Sequence, residues 1–234
     1  MRIDKYLAHT GFGTRREVKA LIRAKRVTVN GQVATDEGLG IDPEADEVIV
    51  DGQTANYREF IYLMLNKPAG YLTATTDRHA PTVLELVPTQ WRARKLAPVG
   101  RLDKDTEGLL LLTNDGPLAH RLLAPAHRTP KTYLLRVDGV VTAAELEELA
   151  AGVILDDGYR TLPAQVKLLA AGANTELELT IYEGKFHQVK RMLKAVNKRI
   201  TYLQRRSMGT LILDHTLALG QCRELTKEEI EGLE

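Results

Sequence analysis

Leu109-Leu110-Leu111-Leu112 is an unbroken apolar run of strand length, closed by the turn-forming Asn114-Asp115-Gly116. A run without alternation, ended by such a turn, reads as a buried strand. A buried strand requires a real core, and 44% hydrophobic against 27% charged residues supplies one. The length of 234 residues suits two unequal domains. Immediately before the leucines lies a glycine-bounded loop, Gly100 to Gly108, holding Arg101, Asp103 and Asp105. Acidic and basic side chains on a loop beside a buried strand are a common functional arrangement. On pattern alone, a surface turn with solvated acids is the simpler reading.

The first 60 residues are organised differently. Ile3, Tyr6 and Leu7 sit at helical spacing before Gly11 and Gly13 break the pattern. Thr14-Arg15-Arg16-Glu17 is a capping box that starts a helix. That helix places Val18, Leu21 and Ile22 on one side and Arg16, Lys19 and Arg23 on another. Val27-Thr28-Val29 then runs into Asn30-Gly31, a type I′ hairpin signal. Val48-Ile49-Val50-Asp51-Gly52 reads as a closing strand and turn, and the polar stretch Gln53 to Glu59 as a linker. The expected domains are therefore 1–58 and 59–234.

Charge is segregated along the chain, although the net value is only +1. Residues 1–30 carry Arg2, Lys5, Arg15, Arg16, Lys19, Arg23, Lys25 and Arg26 against Asp4 and Glu17. Residues 31–60 reverse this, with eight acids against Arg58. A second basic cluster, Lys185 to Arg206, contains no acid. A polyanion-binding face requires such segregation, because each neutralised phosphate releases counterions. Charge alone leaves two solvated helix faces as the alternative.

Beyond Phe60 the pattern is mixed. Thr142-Ala143-Ala144-Glu145 is a second capping box, opening a helix to about Ala151. Leu177, Leu179 and Ile181 alternate with polar residues, as in a strand with one buried face. Val189, Met192, Leu193 and Val196 mark the buried side of a helix beginning near Phe186. Strands outnumber helices without a βαβ rhythm, so the fold class expected is α+β. Several chemistries are set aside. The six histidines form no H-x-x-x-H pair and Cys222 has no partner at ligand spacing, so no built metal site is expected. No phosphate-binding glycine loop and no serine nucleophile elbow is present. A single cysteine, charges at Arg2, Asp4 and Lys5, and no long apolar stretch make a protein of the reducing cytoplasm, away from membranes, the expectation, with a monomer as the simplest state.

Two resemblances sharpen these readings. Arg2-Ile3-Asp4-Lys5-Tyr6-Leu7, the Thr14 helix and Arg26-Val27-Thr28-Val29-Asn30-Gly31 resemble the alpha-L RNA-binding module of a ribosomal protein and several RNA-modifying enzymes. That resemblance implies RNA phosphate contacts for Arg2, Lys5, Arg15, Arg16, Lys19, Arg23, Lys25 and Arg26. The rest of the chain is similar to the ribosomal RNA pseudouridine synthases, in particular the small-subunit branch. The similarity rests on Asn66-Lys67-Pro68-Ala69-Gly70, Arg101-Leu102-Asp103, Lys131-Thr132-Tyr133 and the segment Leu179 to Met192, in that order. It implies a mixed, mainly antiparallel sheet and a cofactor-free isomerisation of uridine. Asp103 falls at the position of the essential aspartate, Tyr133 at that of the base-stacking tyrosine, and Lys190 at that of the basic residue paired with the aspartate. By the same resemblance Arg101 is a wedge for the vacated stack, Leu179 and Ile181 an apolar pocket wall, and Lys67 and Arg191 further substrate contacts. His187 and Gln188 read as structural.

Three classes of function follow. The first is a site-specific isomerase acting on small-subunit (16S) ribosomal RNA, free or in an assembling ribosomal subunit; large-subunit relatives share all four motifs. The second is a catalytically silent ribosome-associated binding protein, against which Asp103, Tyr133 and Lys190 stand intact. The third is a glycosidase using Asp103 and Asp105, against which the RNA-binding module argues.

Overall fold

The computed structural model describes every residue except Ala93 and Glu234. The chain folds as two compact units, Met1–Ile61 with Val87–Leu96, and Tyr62–Leu86 with Ala97–Glu234.

In the first unit, helices α1 (Ile3–His9) and α2 (Arg15–Arg23) share a core with a four-stranded antiparallel sheet of order β2-β1-β3-β4. The strands are β1 (Val27–Val29), β2 (Gln32–Val33), β3 (Val48–Val50) and β4 (Gln53–Thr54). Local chemistry sets these elements. Glu17 accepts from the Thr14 amide at 2.7 Å and the Thr14 hydroxyl accepts from the Glu17 amide at 3.4 Å, completing the capping box. Asn30 and Gly31 take positive φ (51° and 77°) between β1 and β2, as a two-residue I′ hairpin requires. Residues from Gln53 onward are built into this unit rather than free. β4 pairs with β3, Ala55 is buried, and the Tyr57 ring stacks 5.6 Å from that of Tyr6.

Val87–Leu96, which includes α3 (Thr89–Arg92), also belongs to the first unit, an excursion that a single cut after residue 58 does not describe. Its anchor is Arg94, whose buried guanidinium donates to the carbonyls of His9, Arg58 and Glu59.

The second unit is a nine-stranded mixed sheet. Its strands are β5 (Tyr62–Lys67), β6 (Ala97–Pro98), β7 (Glu107–Thr113), β8 (Lys131–Asp138), β9 (Gln165–Ala170), β10 (Asn174–Ile181), β11 (Ile200–Met208), β12 (Leu211–Ile212) and β13 (Cys222–Glu224). The main order is β13-β5-β7-β11-β8-β10-β9, with β6 on β7 and β12 on β11. Only β7 and β11 run parallel; the other pairings are antiparallel. The four leucines form β7, between β5 and β11, and all four are fully buried. Leu109 and Leu111 pack with Met64, Met208, Leu118 and Leu122. The last two come from α4 (Gly116–Leu123), which the Asp115 carboxylate caps through the Leu118 amide at 3.0 Å. Gly108 permits the β7–β11 approach, since a Cβ there would lie 2.3 Å from the Arg205 carbonyl oxygen.

Helices α5 (Ala143–Ala151), α6 (Gln188–Ala195) and α7 (Lys227–Glu231) complete the unit. Capping boxes start α5 at Thr142 and α7 at Thr226. Helix α6 buries Val189, Met192 and Leu193, leaving Lys190 and Arg191 at its partly exposed side. No helix among the described residues is long and apolar enough to cross a membrane.

Candidate active site

The loop before β7 is held from below by one lysine. Lys67, at the end of β5, is fully buried. Its Nζ donates to the carbonyls of Thr106 (2.8 Å), Pro68 (3.0 Å), Asp103 (3.1 Å) and Lys104 (3.3 Å). Burial pushes its pKa down to about 8. Two further clamps act on the same loop. The Thr73 hydroxyl donates to the Leu102 carbonyl at 2.7 Å, and the Gly70 amide donates to the Lys104 carbonyl at 2.7 Å. These bonds fix the backbone around Asp103. Lys67 was expected at the substrate; the structure corrects this, because an ammonium spent on four carbonyls has no free donor to offer.

Above the loop, Lys190 on α6 reaches two carboxylates. Its Nζ lies 2.9 Å from Asp103 Oδ2 and 2.5 Å from Asp105 Oδ1. Burial works against the Lys190 ammonium, but its hydrogen bonds to Asp105 and Asp103 outweigh that and hold its pKa above the ordinary lysine value. The hydrogen bond from Lys190 in turn holds Asp105 below the usual carboxylate range. His187 Nε2 lies 3.5 Å from Asp103 Oδ1, on the other oxygen of that carboxylate. Asp103 remains partly open to solvent, with its side chain 26% exposed. A carboxylate in this position is accessible, oriented and faced by positive charge, as a nucleophile or base covered by substrate requires.

The remaining expected residues fall into two groups. Tyr133 on β8 sits directly across from Leu179 on β10 and from Arg205 on β11, so the three share one face of the sheet. Tyr133, Leu179 and Ile181 are buried, and the Tyr133 hydroxyl has no protein partner among the described residues. Arg101 is exposed and makes no side-chain bond among the described residues. Arg191 is not free to meet substrate. Its guanidinium is ion-paired to Asp156 and, at 2.7 Å, to Asp157, and it also donates to the Phe186 carbonyl at 3.4 Å. In the first unit, Lys5, Arg16 and Lys25 are exposed and unpaired among the described residues. Arg2 and Arg15 face Asp4, Lys19 and Arg23 face Glu37, and Arg26 faces Asp51.

Arg205 was counted in the second basic cluster, as part of a surface. The structure buries it, with Nε donating to the Leu109 carbonyl at 2.8 Å and Nη2 without a partner. Its place on β11, two residues after buried Leu203, puts it on the inward side of the strand. That parity was the available signal.

Family models match in the same two parts, an S4 domain over residues 1–48 and RNA pseudouridylate synthase over residues 61–195. The chain belongs to the RNA pseudouridylate synthase family. The synthase is 48% identical over its whole length to an RNA pseudouridine synthase of Bacillus subtilis, covering 98% of that protein. It is 40% identical to ribosomal small subunit pseudouridine synthase A of Escherichia coli, with both chains covered in full. A crystal structure of a pseudouridylate synthase superposes with a TM-score of 0.69 at 35% identity, covering 100% of this chain and 99% of that one. The chain is therefore an RNA pseudouridine synthase carrying an RNA-binding S4 domain, and the silent-binder and glycosidase readings fall away.

Proposed function

We propose that this synthase converts a specific uridine of small-subunit ribosomal RNA to pseudouridine without a cofactor, with Asp103 as the reacting carboxylate. The observation that carries the catalytic assignment is the Lys190–Asp103 ion pair at 2.9 Å, over a loop whose backbone Lys67 fixes. The substrate assignment rests on full-length similarity to the Escherichia coli small-subunit enzyme.

The reaction breaks the bond between ribose carbon 1′ and uracil nitrogen 1, turns the base, and joins carbon 1′ to carbon 5. The proton on carbon 5 is lost and nitrogen 1 gains one, so atoms and electrons balance within one nucleotide. Asp103 acts on the sugar, by attack at carbon 1′ or by removing the 2′ proton. Lys190 offsets the cost of covering that carboxylate as substrate excludes water. Tyr133 stacks on the loosened uracil, a contact worth ~1–3 kcal/mol, and its unpartnered hydroxyl is suited to relay the carbon 5 proton, releasing its own to water as it takes that one up. Leu179 and Ile181 form the apolar wall beside it, and Arg101 fills the space that the uridine leaves. Residues 1–58 dock the RNA through their unpaired cations. The setting is a monomer in the cytoplasm, acting on ribosomal RNA or an assembling subunit.

The test is pseudouridine mapping in ribosomes from cells lacking the protein. Loss of one small-subunit site is expected. Loss of a large-subunit site instead reassigns the substrate, and an unchanged map overturns the ribosomal reading.

A further inference from the structure

Phe186 is one of three phenylalanines in the chain, and it stands 68% exposed next to His187, which faces Asp103. An exposed aromatic by itself needs no explanation. Here the surroundings do. The ring stacks on His187 at 3.8 Å with planes 19° apart, and His187 Nε2 lies 3.5 Å from Asp103 Oδ1. One edge of the stacked pair therefore abuts the carboxylate.

The segment that carries Phe186 is bolted down on both sides. Glu183 Oε1 accepts from the Leu162 amide (2.9 Å) and from Gln188 Nε2 (2.8 Å), while Glu183 Oε2 accepts from the Tyr159 hydroxyl (2.6 Å). Gln188 Oε1 accepts from the Lys185 amide at 2.9 Å, and Arg191 donates to the Phe186 carbonyl at 3.4 Å. His187 takes a left-handed φ of 47°, unfavourable for a residue with a Cβ and held by these neighbours. A rigid mount that keeps an apolar ring in water is wasted unless something covers the ring.

The adjoining cleft of about 500 Å³ is lined by Phe186, His187, Lys190, Arg191, Lys194, Asp156 and Asp157. Its charges are largely matched: Lys190 faces Asp103 and Asp105, and Arg191 faces Asp156 and Asp157. Little cationic capacity is left there for a phosphate. What is left is a π-face, and every nucleobase can stack on one.

We propose that Phe186, backed by His187, is the stacking platform for an unpaired nucleobase flanking the target uridine in the RNA substrate. This rests on the reading of Asp103 as the reacting carboxylate, which places the target beside the platform. Tyr133 takes the target base; Phe186 holds its neighbour and keeps the strand open.

The test uses the full chain with transcribed small- and large-subunit ribosomal RNA, read by single-turnover kinetics. Phe186→Ala and Phe186→Leu are expected to raise the half-saturating RNA concentration about 5- to 150-fold, the range for one lost base stack. Phe186→Tyr keeps the wild-type value. In Phe186→Trp the added indole is quenched on binding RNA. Phe186→Leu is the deciding variant, since it keeps an apolar surface and removes only the π-face. Wild-type behaviour in Phe186→Ala overturns the platform, and so does a Leu variant as good as the Tyr variant. Asp103→Asn run alongside separates the two readings: if it stays active the catalytic assignment fails, whereas the contrast among the Phe186 variants still reports on stacking.

Discussion

The two units deploy the same residue types in opposite ways. In the first, the lysines and arginines of residues 1–30 stay at the surface, where Lys5, Arg16 and Lys25 have no partner among the described residues, and Arg94 is the buried exception. In the second, the cations that matter are buried or committed. Lys67 holds three loop carbonyls and that of Pro68, Lys190 two carboxylates, and Arg205 the Leu109 carbonyl. Surface cations attract polyanions at long range and are screened by salt; committed cations set geometry and are screened much less. In the proposed reading, one unit uses charge for affinity and the other for position.

That contrast can be broken or sharpened by substitution. Among the cations the largest effect is expected for Lys190→Met, which removes the ammonium paired with Asp103. Single-turnover assays should show a loss of about 10²–10³-fold in rate with RNA binding unchanged; a loss of binding alone would make Lys190 an affinity residue like those of the first unit. Next is Gly108→Ala. The added Cβ meets the Arg205 backbone at 2.3 Å, and φ is +101°. Denaturant unfolding should show a loss on the order of 3 kcal/mol, and an unchanged midpoint would contradict the β7–β11 approach.

A pH experiment isolates Lys67. Its pKa in the fold is about 8, below the ordinary 10.5, so the folded chain releases this proton first. Between those values the unfolded chain binds more protons, and the contribution of this group to stability rises with pH. The loop meanwhile loses its charged donor. Activity should therefore fall through about pH 8 while thermal stability does not fall with it. Lys190, held above its ordinary value, cannot produce that limb. A limb that persists in Lys67→Gln would remove Lys67 from the explanation. The smallest effects belong to the first unit. Arg16→Ala and Lys25→Ala should each lower the slope of log affinity against log salt by about 1. Arg23→Ala should change it less, because Glu37 already neutralises Arg23 at 2.5 Å.

What could be read in advance follows the same division. Capping boxes at Thr14 and Thr142, the Asn30-Gly31 hairpin and the alternation of β10 are local patterns, and each is present where its residues predict it. The α+β class followed from them. Lys67 and Arg191 were expected at the substrate by resemblance and Arg205 in a surface cluster; their burial or pairing involves partners 34 to 96 residues away. The return of Val87–Leu96 to the first unit was invisible for the same reason, since Arg94 gains its partners only after folding. The loop carrying Asp103 and Asp105 was legible in the sequence, and the Asp103–Lys190 pairing through resemblance; the bond of Lys190 to Asp105 and the Phe186–His187 pair came from the geometry alone.

The central claim is that Asp103 reacts and does not merely pair with Lys190. Asp103→Asn, assayed in single turnover on transcribed ribosomal RNA with binding read in parallel, tests it most directly. The account predicts that pseudouridine formation is abolished while RNA binding is largely intact. Formation at the unsubstituted rate would contradict it.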